Sequence, residues 1–280
     1  MLIDLHAHSL ASDGTQTPAE LVADAADHGV QVLGLTDHDT VRGWDEAAIA
    51  AVEHGVTLVR GIEVSCRYEG ISVHVLAYLP AADGSELLAT LEETRRVRVA
   101  RGRRIAERLS EDFPVSWEQI TARAAGGTVG RPHIADALVD AGVVPDRSAA
   151  FATLLAKGSP YHVSLPVQSP LTAIRLIREA EGASVFAHPA ASARGRVVPD
   201  AGIRAMIEAG LDGLEVDHRD NPPEARRALR ERAAAHGLIV TGSSDYHGSG
   251  KPNRLGEHDT DPGQLARIVD RATGIGLVGG

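Results

Sequence analysis

His6 and His8 stand two residues apart at the end of an apolar run, Met1-Leu-Ile-Asp-Leu-His-Ala-His-Ser9, so an extended chain carries both imidazoles on one face. Paired imidazoles at a strand end are a way to hold a metal ion. Three later segments repeat an apolar run followed by histidine or acid: Leu33-Gly-Leu-Thr-Asp-His-Asp39, Val185-Phe-Ala-His188 and Ile239-Val-Thr-Gly-Ser-Ser-Asp-Tyr-His247. Glu63 closes a further run, Glu215 and His218 another, and His74 lies inside a run, where an inward side chain can reach the same mouth. Asp13 follows the first run on a Ser12-Asp13-Gly14 turn able to fold back over it. Imidazoles and carboxylates without thiolates suit zinc, manganese or iron with open coordination positions, rather than a closed structural zinc. Taken singly, Asp37, Asp39 and His218 are more simply caps or hydrogen-bonded loop residues, and Asp39 could cap a helix beginning near Thr40. The His6/His8 pair and Asp245-x-His247 have no comparable packing purpose.

The elements that must position these groups are short apolar runs alternating with helical patterns, as in a parallel sheet or barrel covered by helices. Strands are expected near 2–6, 32–36, 57–62, 71–79, 184–187, 213–217 and 238–242. Helices open at Thr17-Pro18-Ala19-Glu20 and Asn221-Pro222-Pro223-Glu224, each offering a cap, a proline and an acid. In a parallel barrel, side chains at the C-terminal strand ends converge on one mouth. The interval between the strand holding His74 and the strand before His188 is far longer than a crossover of roughly 30 residues needs. An insertion over 85–164 accounts for it, with barrel segments at 1–84 and 165–280. Helical patterns at Ser85–Leu109, Trp117–Ala125, Arg131–Ala141 and Ser148–Leu155 make the insertion a small helical cap, and Gly126-Gly127 offers a joint. Arg95, Arg96, Arg98, Arg101, Arg103 and Arg104 most simply form the solvated faces of its first helix, with contact to RNA as the lesser reading.

A chain of 280 residues with 43% hydrophobic content can bury one large core, and a net charge of -10 argues against coating duplex nucleic acid or a membrane surface. The lone Cys66 excludes an internal disulfide and a thiolate zinc site, and fits a reducing, cytoplasmic setting. Asp4 and His6 interrupt the first apolar run, so no signal peptide is expected, and no stretch is apolar enough to span a bilayer.

The ordered set His6-x-His8, Asp13-Gly14, Thr36-Asp-His-Asp-Thr40, Gly61-Ile-Glu63, His74, His188-Pro189 and Asp245-x-His247 resembles the PHP (polymerase and histidinol phosphatase) family of metal-dependent phosphoesterases across essentially the whole chain. The resemblance implies an α/β fold, a distorted seven-stranded barrel that binds two or three divalent ions. It implies His6, His8, Glu63 and Asp245 on the first ion, Glu63, His74 and His188 on the second with Glu63 bridging, and Asp13, His38 and His247 on the third. Some relatives use histidine where this chain has Asp13. A closer likeness is to a subgroup whose insertion carries Gly130-Arg-Pro-His-Ile-Ala135 and Tyr161-His162, known as 3',5'-nucleotide bisphosphate phosphatases, some of which remove 5' nucleotides from short RNA. That likeness implies Arg131, His162 and Arg194 as phosphate-binding residues, with His133 behind them.

The expected activity is in-line attack of metal-bound hydroxide on a phosphomonoester of a small nucleotide held between barrel and cap, with His38, His247 or a third ion at Asp13 assisting the leaving oxygen. Manganese, iron and zinc all suit the ligands. Alternatives are a 5'-3' exoribonuclease acting on short RNA, a histidinol-phosphate phosphatase, an amidohydrolase, and a noncatalytic metal- or nucleotide-binding module. The amidohydrolase reading lacks a lysine at a strand end, since Lys157 and Lys251 are the only lysines.

Overall fold

The computed structural model describes residues 1–124 and 126–279. Seven strands, β1 (Leu2–Ala7), β2 (Val30–Leu35), β3 (Thr57–Tyr68), β4 (Ile71–Tyr78), β5 (Ala183–Phe186), β6 (Gly213–Asp217) and β7 (Ile239–Gly242), form one sheet in strict chain order. The α/β expectation holds, and each expected strand is present. The two edges meet through the chain beyond β7: Ala7 bridges to Tyr246, whose carbonyl accepts the His8 N–H at 2.8 Å, and the Thr260 N–H donates to the Ile3 carbonyl at 3.0 Å.

The sheet is not wholly parallel. β3 runs on to Tyr68, turns through Glu69 and Gly70, and pairs antiparallel with β4, which is antiparallel to β5 as well. Both turn residues have positive φ, 45° and 79°, the geometry of a two-residue hairpin. β4 therefore descends from the mouth to the floor. This explains why His74 reaches the mouth from within a strand rather than from its C-terminal end.

Helices α1 (Pro18–Asp27), α2 (Trp44–His54), α7 (Pro170–Glu179), α8 (Asp200–Glu208) and α9 (Pro223–His236) pack apolar faces against the sheet in one core cluster. A second cluster joins strand residues such as Leu5, Val59, Leu76 and Val185 to Leu265 and Ile268 of α10 (Pro262–Arg271). Thr17 and Glu20 close the expected capping box on α1. Asn221 caps nothing: α9 starts one residue later than expected, and the Asn221 amide donates to the Glu215 and Val216 carbonyls while accepting from the Ala190 N–H. That holds the β6 loop against the loop after β5.

Between β4 and β5 come α3 (Glu86–Ser110), α4 (Trp117–Arg123), α5 (Arg131–Asp140) and α6 (Arg147–Ala152). The expected helix over Trp117–Ala125 ends at Arg123, and Ala125 lies outside the described residues. A third apolar cluster is built from these helices and the segments joining them, with Ile105, Leu109, Ile120, Ile134 and Leu138 among its members. The foot of α3 packs elsewhere, since Leu87 and Leu91 belong to the barrel cluster. Gly127 makes a close contact, since a Cβ there would stand 2.2 Å from the Leu10 carbonyl oxygen. Among the described residues no helix is long and apolar enough to cross a membrane.

Candidate active site

Glu63, 1% exposed, lies inside β3 with imidazoles converging on both carboxylate oxygens. Oε1 meets His74 Nδ1 at 2.7 Å and His188 Nε2 at 3.1 Å, and Oε2 meets His8 Nε2 at 3.1 Å, His38 Nδ1 at 3.2 Å and His6 Nε2 at 3.3 Å. Asp245 Oδ1 is 3.5 Å from His6 Nε2 and 3.4 Å from His8 Nε2. Asp13, on a turn tied back to the Ser9 carbonyl, places Oδ1 3.3 Å from His247 Nε2 and Oδ2 3.8 Å from His38 Nε2. The turn needs Gly14, because a Cβ there would meet the His8 carbonyl oxygen at 2.3 Å.

Donor atoms within 4.8 Å of one another fall into three groups: His6, His8, Glu63 and Asp245; His38, Glu63 and His74; and His8, Asp13, His38 and His247. The first coincides with the expected first set. In the second, His38 stands with Glu63 and His74, while His188, outside that group, meets the same Glu63 oxygen as His74. The third adds His8 to the expected trio. His8 and His38 each turn one ring nitrogen toward Glu63 and the other toward Asp13.

The arrangement fits divalent cations. The Nε2 atoms of His6 and His8 face each other at 3.1 Å. Bonds of about 2.0–2.1 Å to one ion put tetrahedral ligand atoms about 3.3 Å apart, close to the 3.1–3.5 Å contacts that His6 and His8 make with each other, Glu63 and Asp245. His38 Nδ1, His74 Nδ1 and His247 Nε2 are buried without a hydrogen bond among the described residues, although carboxylate oxygens lie close to each. Buried polar atoms left in this state are costly unless something else satisfies them.

A further layer of contacts aims these groups. Glu215 accepts from His6 Nδ1 at 2.9 Å and from the His188 N–H at 2.7 Å, so His6 presents Nε2 to the cluster. The Asp245 carbonyl engages His247 Nδ1 at 2.9 Å, leaving that Nε2 toward Asp13. Fully buried Asp4 accepts from the Ser244 N–H at 3.0 Å and the Gly256 N–H at 2.9 Å, which fixes the loop bearing Asp245 against β1. His188 and Asp245 carry positive φ, 32° and 54°, a backbone strain of about 1–3 kcal/mol each that the surrounding contacts must hold. Asp37 and Asp39 point away to structural duties. Asp37 accepts from the Ser9 N–H and the Ser9 and Ser12 hydroxyls, and Asp39 accepts from the Ser65 N–H and Arg98 rather than capping a helix.

Burial opposes charge throughout, and local charges decide the outcome. Burial presses His8 down, yet hydrogen bonds to Asp245 and Glu63 carry it to about 9. Burial and the Arg194 charge take His188 to about 3, and burial with the His8 and Lys251 charges takes His247 to about 4. Glu63 would rise on burial, but the His74, His38 and His6 charges hold it well below the usual carboxylate range.

The expected phosphate residues divide. Arg194, on the turn after β5, donates to Asp245 Oδ2 at 2.6 Å and through Nε to Asp220 at 2.6 Å. Arg131 opens α5 with its guanidinium 5.1 Å from the Phe151 ring, and no acid pairs with it among the described residues. His162 lies in the field of Arg131, Arg67, Arg101 and Lys157, which with burial lowers its pKa. The expectation of solvated arginines along α3 holds for Arg96 and Arg103, which pair with Glu93 and Glu107, and fails for Arg98 and Arg101. Arg98 joins Asp39 and Ser65. Arg101 is 8% exposed with no hydrogen bond or ion pair among the described residues, and burial plus the charges of Arg98, Arg131 and Arg67 push it down to about 8. Sequence reasoning missed this pair because arginines fall on several faces of this helix and hide which face turns inward.

A family profile described as the PHP domain matches residues 4–157. A 3',5'-nucleoside bisphosphate phosphatase of Chromobacterium violaceum is 32% identical over 276 residues, covering 96% of this chain and 95% of that protein. A 5'-3' exoribonuclease of Haemophilus influenzae is 34% identical over 246 residues, covering 87% of this chain and 89% of that protein. A crystal structure named as a metal-dependent phosphoesterase from Bifidobacterium adolescentis superposes with a TM-score of 0.94 at 44% identity, covering 96% of both chains.

Proposed function

The chain belongs to the PHP domain family and is a metal-dependent phosphoesterase, and from that premise we propose that it hydrolyses phosphomonoesters of small nucleotides, foremost the 3'-phosphate of nucleoside 3',5'-bisphosphates. Two or three divalent ions, manganese, iron or zinc, would be held by His6, His8, Glu63 and Asp245, by Glu63, His74 and His188 with His38 alongside, and by Asp13, His38 and His247. Such ions supply Lewis-acid polarisation of the phosphoryl group and a lowered pKa for water. Arg194 offsets charge on the scissile phosphate. His38 and His247, flanking Asp13, serve the leaving oxygen. Arg131, His162, Arg98 and Arg101, with Arg67 opposite, hold the second phosphate between insertion and hairpin.

One observation carries this substrate class: Arg101 is a buried cation with no acid partner among the described residues, set among further cations. A buried charge is strongly unfavourable unless paired, and a phosphate dianion is a fitting partner. The helical insertion over 85–164 acts as the cap that delivers it. The buried Cys66 thiol accords with a cytoplasmic setting. Metal-replete protein should release phosphate from adenosine 3',5'-bisphosphate with a higher kcat/KM than from adenosine 3'-phosphate. Absence of phosphate release from any phosphomonoester would defeat the reading. The second reading, stepwise 5'-3' cleavage of short RNA, draws on the same cation cluster, which could hold a 5'-terminal phosphate. End-labelled oligonucleotides separate the two.

A further inference from the structure

We propose that Lys251 is a second cation for the scissile phosphate and biases the site toward phosphomonoester dianions over diesters, an inference that rests on the phosphatase reading above. Asp245 divides its carboxylate: Oδ1 faces His6 and His8, and Oδ2 gathers Lys251 Nζ at 3.0 Å, Arg194 Nη2 at 2.6 Å and His218 Nε2 at 3.5 Å. His218 is buried, and its Nδ1 accepts the Asp220 N–H at 3.0 Å. Its Nε2, turned to Asp245, makes no hydrogen bond among the described residues. Lys251 is 31% exposed and makes no other hydrogen bond among the described residues, which leaves its remaining N–H groups for a ligand.

The loop presenting Lys251 is fixed at two points. The Gly250 carbonyl accepts from Arg147 of α6 at 3.0 Å, and Arg147 is itself paired with Asp136 of α5; the Ser249 N–H donates to Thr15 Oγ1 at 2.9 Å. Lys251 is thus held in place from the insertion and from the loop after β1. A monoester near neutral pH carries close to two negative charges and a diester only one, so the attraction of Arg194 and Lys251 together grows with the monoester's extra charge.

The test compares Lys251→Met and Lys251→Arg with the parent, all metal-loaded, on adenosine 3',5'-bisphosphate and on a 5'-phosphorylated diadenylate, with metal content measured by emission spectrometry. Lys251→Met should lose roughly 10- to 100-fold in kcat/KM on the monoester and less than about threefold on the diester. Its inhibition constant for inorganic phosphate should rise by about tenfold, with metal content unchanged and Lys251→Arg recovering most of both losses. If the parent does not cleave the diester, the inhibition constant alone decides. Equal losses on both substrates, an unchanged inhibition constant, or loss of metal from Lys251→Met would each overturn the proposal. A parent that releases no phosphate from the bisphosphate defeats the earlier reading instead.

Discussion

The cluster around Glu63 and the cluster around Arg101 are both charged, yet the first interleaves carboxylates with imidazoles while the second collects cations, with Asp39 paired to Arg98 and no ion pair to Arg101 or Arg131 among the described residues. In the first, the acids hold lone pairs of neighbouring rings at coordination spacing, an arrangement that asks for positive charge. In the second, guanidinium groups depress one another, an arrangement that asks for negative charge. Buried charge is tolerated only when compensated. The sign of the imbalance therefore points to the kind of ligand each region suits.

The difference can be broken from either side, and the metal side should give the largest effect. His8→Ala and Asp245→Ala are each expected to lower kcat by about a thousandfold or more and to reduce bound metal; chelation should act likewise, with manganese restoring the parent. If both variants keep full activity, the cluster around Glu63 is not the catalytic centre. On the cation side, Arg101→Met should lose roughly 10- to 100-fold in kcat/KM for the bisphosphate but little for a monophosphate, since only the former has a group to offer this cluster. The same substitution should raise the Tm of the ligand-free protein by a few degrees, roughly what removing an uncompensated charge yields, and should abolish stabilisation by added phosphate. A lowered Tm would show that Arg101 is compensated after all.

Smaller effects sharpen the contrast. Glu215→Gln removes the anion behind His6 and should weaken metal binding by about tenfold or more in equilibrium titrations, leaving phosphate binding at Arg101 intact. The pH response of metal binding should be smaller still. His8, raised to about 9, holds a proton that an incoming ion must displace, whereas His188 and His247, at about 3 and 4, are already neutral. Metal affinity should therefore climb as pH rises toward 9, with proton release detectable by calorimetry in buffers of different ionisation enthalpy. The linkage to folding has the same origin: His8 adds stability to the metal-free protein below its unfolded value near 6.5, and this is lost as pH rises through about 9.

What could be read in advance was what period and position determine. His6, His8, His188 and Asp245 follow apolar runs, and side chains there converge once the runs pack side by side. The reversal of β4 left a fainter mark, the two-residue Glu69-Gly70 turn between apolar runs, which read as a hairpin would have reset the direction of the strand bearing His74. The inward turn of Arg98 and Arg101 could not be read at all, because helix phase relative to a neighbour is a tertiary property. Asp4 and Glu215 were similarly opaque: an acid within an apolar run does not declare whether it binds a ligand or aims one. Lys251 lies in a Gly- and Ser-rich loop, where position follows from distant anchors such as Arg147.

The downward course of β4 has one more consequence. It leaves the chain at the floor of the barrel, and α3 must climb back to the mouth, its 25 residues spanning about 37 Å. Its foot is clamped in the barrel core by Leu87 and Leu91, and its upper part carries Arg98 and Arg101. It therefore behaves as a keyed shaft. One residue inserted or deleted between foot and arginines would rotate the guanidinium groups by roughly 100° and carry them off the face they now occupy. Length changes in this lineage should accumulate in the turn that follows Ser110, while the span from Leu91 to Arg101 stays fixed in count even where its residues change.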